Sequence, residues 1–503
     1  MTQARAALQE LARAQQVIVL ANREPYSHER EAGGGIIVRH AASGLVHAVE
    51  PVLAASGGVW VAHGSGSADR AVVDETDGVA VPPENPAYRL RRVWLDDEEY
   101  AGYYYGFANE ALWPLCHRAF IKPVFRTTDL DAYWTANARF AEAVADEAVD
   151  VAPIVLVQDY HFALAPAMIR THLPSSTVST FWHVPWPDSQ TFALCPWGSQ
   201  LLDGLLGSCI VGFQTATDRD NFADCVARTL DTAVDREHML VTYGGRRIAL
   251  RVYPASIPWA GSVDAPPQAE CRRAVREALA LNDQALIAVG VDRLDYTKGI
   301  EEKILAVEQL LVSSPEYRNR FVLVQLAEPS RPALQAYVDL RHRVRSAAAR
   351  VNDRFGTSEY CPVILLEGHH SQSTVTRYLR AADICYVGSL HDGMNLVGKE
   401  FVRARTEGDG VLVLSAFAGA ARQLDGAVIL NPFDPDGAAG ALAVALQMDE
   451  QEQRARMRRL RRVVASADAH RWAATVLEEA IQARPVQTMM PFRTAYNTTS
   501  AVL

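Results

Sequence analysis

Short, wholly apolar runs recur along this chain, and longer stretches of helical character separate them. The runs VIVLA at Val17, PIVLVQ at Pro153, TVSTFWH at Thr177, ALIAVG at Ala285, FVLVQLA at Phe321, PVILLEG at Pro362, ICYVGS at Ile384, VLVLSAF at Val411 and AVILNPF at Ala427 read as strands buried on both faces. Between them lie helix-length segments such as Trp134 to Val149 and Ile300 to Ser313. Alternation of this kind predicts parallel βαβ units, hence an α/β fold. A chain of 503 residues exceeds one ordinary core and predicts two domains. The segment VYPASIPWAG, Val252 to Gly261, carries two prolines between strand and loop and is the candidate hinge. The expected boundaries are a first domain over 1–257, a second over 258–470, a last helix over 471–484 and a polar tail over 485–503.

Two of the apolar runs end in charged turns. VDRLDYTKG, Val291 to Gly299, follows ALIAVG, and LHDGMNLVGKE, Leu390 to Glu400, follows ICYVGS. Ligands of open α/β sheets bind beyond the carboxyl ends of such strands. Arg293 and Lys298 are therefore expected to share a cleft with Asp392 and Glu400. Cations suit a diphosphate and carboxylates suit sugar and ribose hydroxyls, which is the inventory of a sugar-nucleotide site. A departing diphosphate gains negative charge, and the two cations could supply what a divalent metal otherwise would. Gly393 lets the backbone approach closely just before a helix whose first N–H groups could face phosphate. Read singly, either turn could equally be a surface ion pair at a helix start. D-x-D pairs occur at Asp129 with Asp131 and at Asp434 with Asp436, so spacing alone leaves a metal open.

Composition narrows the partners. The net charge of -10, from 49 basic and 59 acidic residues, argues against a nucleic-acid or anionic-membrane surface. Phosphate must then be held by local cations. Seven cysteines without a C-x-x-C pair indicate neither a disulfide framework nor a zinc site and fit a reducing cytoplasm. The polar N-terminus and the lack of any apolar run near about 18 residues argue against secretion and membrane insertion. The oligomeric state, a homo-oligomer included, stays open, and no G-x-G-x-x-G fingerprint follows the first strand.

Both charged turns, with NREP at Asn22, LWPLCH at Leu112, QDYH at Gln158, FWHVPWP at Phe181, GFQT at Gly212 and LSAFAGAA at Leu414, resemble the retaining trehalose-6-phosphate synthases, in order from about Val17 to Trp472. The resemblance implies a GT-B glycosyltransferase, two Rossmann-like domains facing across a cleft, with the acceptor held mainly by the first and the nucleotide-sugar by the second. The last helix is expected to cross back to the first domain. The implied reaction moves glucose from a nucleotide diphosphate, UDP-glucose the expected donor, to glucose 6-phosphate, without metal or other cofactor. Implied catalytic residues are His183, Arg293, Lys298, Asp392 and Asp159. Donor residues are Gly44, Arg293, Lys298, Asp392, Gly393, Met394, Asn395, Leu396 and Glu400. Acceptor residues are Arg23, His63, Tyr104, Trp113, Asp159 and Arg331, with Arg331 reaching across from the second domain. Two arginines suit a phosphate dianion and an aromatic surface suits a pyranose face. Tyr104 and Trp113 could instead be core aromatics, Asp159 a helix cap, and His183 a hydrogen-bonded core residue.

The sequence departs from the family in places. His63 replaces a tryptophan, Ser43-Gly44 replaces paired glycines after the added segment EREAGGGIIVRHAA, Gln158 replaces a histidine and His391 an arginine. Gly33 to Gly35 could form a mobile lid or a plain hairpin loop. The altered acceptor side keeps two other readings in play: the same donor with another phosphorylated acceptor such as glycerol 3-phosphate, or a non-catalytic sugar-phosphate sensor.

Overall fold

The computed structural model describes residues 3–13, 15–31, 33–40, 44–259, 263 and 265–483. The tail over 485–503 and Ser43 lie outside them. Two sheets organise the chain. The first has ten strands, in the order Val234–Asp235, Leu240–Tyr243, Arg246–Val252, Ile210–Phe213, Thr177–Trp182, Ile154–Gln158, Val17–Leu20, Val59–His63, Tyr88–Val93 and Gly78–Val81. Its middle is parallel, and antiparallel strands finish both edges. The second has six parallel strands, Val363–Glu367, Phe321–Glu328, Leu286–Arg293, Ile384–Val387, Val411–Ser415 and Val428–Leu430. Every apolar run singled out in the sequence lies in one of these strands; the central ones are buried on both faces, while the edge strands Val363–Glu367 and Val428–Leu430 are partly exposed, Ile429 among them. The helix at Ile300–Ser313 has the expected bounds, whereas the one expected from Trp134 starts a full two turns earlier, spanning Thr127–Asp146.

The order of strands reverses once in the middle of each sheet. In the first it does so between Val17–Leu20 and Ile154–Gln158, in the second between Leu286–Arg293 and Ile384–Val387. Connections leave such neighbouring strands in opposite directions and open a crevice beyond their carboxyl ends. Arg23 and Asp159 follow the first pair; Arg293 ends one strand of the second and Asp392 follows the other.

The segment after Arg246–Val252 carries the chain from one core to the other. The Ala255 N–H donates to Gln214 Oε1 (2.8 Å), and Ile257 is buried in the core of the second sheet. The last helix, Ala469–Gln482, packs into the core of the first sheet, where Trp472 donates from Nε1 to the Tyr253 carbonyl (3.0 Å) and Glu479 meets Arg251 at 2.9 Å. Asp468 caps this helix and also accepts from the Trp259 N–H at 3.1 Å, tying it to the linker.

Around the three glycines the chain makes an antiparallel hairpin, Tyr26–Arg30 with Ile36–His40, closed where the Glu31 N–H donates to the Gly35 carbonyl. Gly34 takes φ +84° there, the left-handed region that glycine tolerates without a Cβ penalty. The glycines thus serve the turn of a hairpin.

Candidate active site

The residues expected to hold the donor sit on two loops laced together by their backbones. Asp295 caps the short turn Tyr296–Lys298 by accepting from the Thr297 N–H at 3.0 Å. Gly299 follows at φ +62°, where a Cβ would lie 2.2 Å from the Gly388 carbonyl oxygen. That close approach presses the turn against the loop after Ile384–Val387, and Lys298 Nζ donates to Asp392 Oδ2 at 2.6 Å. Ser389 Oγ and Asn395 Nδ2 also donate to this carboxylate, each at 3.3 Å. Burial opposes ionisation of Asp392, but Lys298 outweighs it and holds the carboxyl below its usual range. Beneath, the LSAFAGAA segment supplies Phe417 O to the Asp392 N–H and donates from Gly419 and Ala420 to the Asp392 and Met394 carbonyls. That motif therefore acts by fixing the loop.

Gly393 has a different role from the one its place before a helix suggests. A Cβ there would sit 2.2 Å from the His183 carbonyl oxygen, so the missing side chain lets a loop of the second sheet meet a strand end of the first. The helix Val397–Ala404 begins next; Asn395, at φ +72°, accepts from the Gly398 N–H through Oδ1. Glu400 lies on it, its carboxyl pushed up to about 6 by burial, with Arg403 pulling the other way.

Arg293, Lys298, Asp392, Met394, Asn395, Leu396 and Glu400 line one cavity of about 720 Å³. Arg23 and His183 reach it from the first sheet. His183 Nε2 meets Gln158 Oε1 at 2.9 Å, and burial lowers the imidazole to about 3, so the ring is neutral. Gln158 thus replaces the family histidine with an amide whose oxygen can accept from that ring. Gly44 opens the helix Gly44–Ser56, whose Ala48 also lines the cavity.

The acceptor candidates assemble beside this cavity. His63, Tyr100, Tyr104 and His161 stack in a column, with centroid separations of 4.8, 5.0 and 5.8 Å. A twelve-residue π-helix, Ala101–Leu112, carries Tyr104; such wide turns recur at functional sites. His63 Nδ1 contacts the Val93 carbonyl at 3.2 Å, so Nδ1 carries the proton and Nε2 is left as an acceptor. Trp113 is buried against Tyr160 and His117, and its indole N–H approaches Asp295 at 3.4 Å across the cleft. Asp159 sits at φ +74°, a strained backbone, and accepts from the His183 N–H at 3.1 Å. Burial pushes its carboxyl up to about 7, against the N–H donors of Tyr160 and His183 and the charge of Arg293.

Arg331 does cross to the first sheet, but not as a free cation. Its guanidinium packs over Trp113 at 4.3 Å, donates to Asp295 at 2.6 Å and to Tyr160 at 3.2 Å, and contacts the Tyr337 hydroxyl. Burial alone would raise the Asp295 carboxyl; Arg331, Arg293 and Lys298 instead hold it well below its usual range. Asp295, Tyr160 and the stacking partner His161 lie within quoted motifs, yet nothing in their spacing marks them as a shared support. Neither D-x-D pair reaches the cavity: Asp129 pairs with Arg126, and Asp434 caps the helix Pro435–Gln447 while Asp436 accepts from Gln309. Among the described residues no group of three or more His, Cys, Asp or Glu is placed to hold a metal ion, and no helix is long and apolar enough to cross a membrane.

Residues 15–482 match the model of glycosyltransferase family 20. The chain belongs to that family. Similar family 20 relatives include trehalose-6-phosphate synthases of Mycobacterium avium, 36% identical over 476 residues covering 93% of this chain and 96% of the relative, and of Mycobacterium tuberculosis, 36% identical over 479 residues covering 93% and 95%. Among solved structures, a trehalose-6-phosphate protein from E. coli bound with UDP-2-fluoro glucose superposes with a TM-score of 0.81 at 29% identity, covering 93% of this chain and 99% of that one. An α,α-trehalose-phosphate synthase (UDP-forming) from Burkholderia xenovorans in complex with glucose-6-phosphate gives 0.79 at 30% identity, covering 93% and 100%. The fold is accordingly GT-B, and this family 20 member is a hexosyltransferase that uses a nucleotide-sugar donor.

Proposed function

We propose that the protein is a trehalose-6-phosphate synthase, moving glucose from UDP-glucose to the anomeric hydroxyl of glucose 6-phosphate with retention. The observation that carries this is the convergence of Arg293, the Lys298–Asp392 pair and Glu400 on one cavity that Arg23 and His183 enter from the opposite sheet. In this reading the first domain, to about residue 257, holds the acceptor, and the second, over 258–470, holds the donor. Arg293 and Lys298 face the diphosphate and stabilise the charge it gains as the glycosidic bond breaks, so no metal is required. Asp392, kept ionised by Lys298, accepts from hydroxyls of the transferred glucose, and Glu400 accepts from the ribose. Arg23 and Arg331 read the acceptor phosphate; Asp159, His63, Tyr104 and Trp113 form the wall against which the acceptor sugar lies. The departing phosphate oxygen takes the proton of the incoming hydroxyl on the same face, which retains configuration without a protein nucleophile. Free thiols and sugar-phosphate substrates fit a cytoplasmic enzyme.

His63 gives one specific reason for a second reading. An imidazole offers less stacking surface than an indole and presents Nε2 as an acceptor, which suits a smaller acceptor such as glycerol 3-phosphate. A matrix of nucleotide-glucose donors against phosphorylated acceptors, with products identified, tests both. Preferred turnover of UDP-glucose with glucose 6-phosphate is expected. Faster transfer to glycerol 3-phosphate would replace the first reading with the second.

A further inference from the structure

The cavity has a third arginine that no motif singled out. Arg39 sits on the hairpin strand Ile36–His40, directly across from Ser27 on Tyr26–Arg30, and both line the cavity. Residues directly opposite on a strand pair share one face, so the hairpin turns Arg39 and Ser27 to the ligand together. Among the described residues the Arg39 guanidinium makes no ion pair or hydrogen bond, unlike Lys298, which is paired with Asp392, and Arg331, whose terminal nitrogens meet Asp295, Tyr337 and Tyr160. Glu29, the diagonal neighbour on the facing strand, feels its charge only as the smallest of the influences that lower that carboxyl, so an exposed guanidinium with unfilled N–H donors faces the cavity and suits an anionic ligand.

Which anion follows from what else lines the space. The cavity contains Arg293, Lys298, Asp392, Asn395 and Glu400 of the donor set but, from the acceptor set, only Arg23; His63, Tyr104, Trp113, Asp159 and Arg331 lie outside its lining. The strand bearing Arg39 also leads into the helix at Gly44, whose Ala48 is part of the same wall. Resting on the proposed donor chemistry, we infer that Arg39 is a further donor-binding residue: the hairpin places its guanidinium, with the Ser27 hydroxyl, on the diphosphate of the nucleotide-sugar. The first domain would then grip the donor as well as the acceptor, and the diphosphate would be held from both sides of the cleft. A planar fork suits this contact, since it can meet two phosphate oxygens at once.

The test is direct binding by calorimetry, with UDP, uridine and glucose 6-phosphate as separate probes of wild type, Arg39→Ala and Arg39→Lys. Arg39→Ala should weaken UDP binding about tenfold or more, the scale of one lost hydrogen bond to a charged group, while uridine and glucose 6-phosphate bind as before. Arg39→Lys should recover part of the loss, since it restores the charge without the fork. Unchanged UDP affinity in a variant with a wild-type melting transition would overturn the assignment. So would a loss confined to glucose 6-phosphate, which would make Arg39 an acceptor residue. Failure of the wild type to bind UDP at all would instead remove the donor chemistry on which the inference stands.

Discussion

Wedged beneath Trp113, the Arg331 guanidinium meets one counterion, Asp295, whose other oxygen caps the Tyr296–Lys298 turn. The pair is buried, so removing one charge leaves the other unpaired in a poor solvent. Asp295→Asn should therefore cost about 3 to 5 kcal/mol in chemical denaturation, far more than loss of a surface pair. A change under about 1 kcal/mol would show that Arg331 finds another partner. Glu400 makes the opposite case, a carboxylate raised by burial to about 6. Its charged form is lost as pH falls through that value. If it accepts from the donor ribose, the KM for UDP-glucose should rise below about pH 6 in wild type and show no such limb in Glu400→Gln. Identical profiles would remove Glu400 from donor binding. Neither environment was legible in the sequence: Asp295 and Arg331 are brought together only by the ends of neighbouring strands, and burial of Glu400 depends on the whole helix that carries it.

Strands were the most readable elements, because a short run of wholly apolar residues fits best between the two covering layers of an α/β sheet. Loops and helix types were less so. The π-helix at Ala101–Leu112 is indistinguishable from an α-helix over so short a run of mixed residues, although it sets where Tyr104 points. The glycine before the donor helix was legible as a point of close approach, but its partner proved to be the His183 carbonyl. That contact makes the donor loop sensitive to a single methyl group. Gly393→Ala should drive the two loops apart and lower kcat/KM by about a hundredfold through misplacement of Asp392, with each sheet still folded by circular dichroism. Wild-type kinetics in this variant would mean that the loop slides aside freely.

At the scale of the molecule, the two sheets meet through more than a hinge. Gly393 rests on His183, the Arg118 N–H donates to His391 Nδ1 at 3.2 Å, and Lys399 Nζ donates to the Ala255 carbonyl in the linker at 2.6 Å. The last helix returns to the first core through Trp472 and Glu479. His391, a family departure, thus serves as an interdomain contact, with burial lowering its imidazole to about 4, so it is uncharged at neutral pH. These contacts hold the cationic turns of the second sheet against the strand ends of the first, where Arg23 and His183 share their cavity; under the proposed function, that juxtaposition is what transfer between two sugars needs, and closing over the ligands would exclude competing water. The decisive measurement is product analysis by nuclear magnetic resonance after incubating the purified protein with UDP-glucose and glucose 6-phosphate in excess chelator. The expected product is α,α-trehalose 6-phosphate, formed with one UDP per sugar and lost by about ten- to a hundredfold in Arg293→Ala or Lys298→Ala. Activity that vanishes in chelator and returns with magnesium or manganese, or a product of inverted configuration at the transferred glucose, would contradict the account.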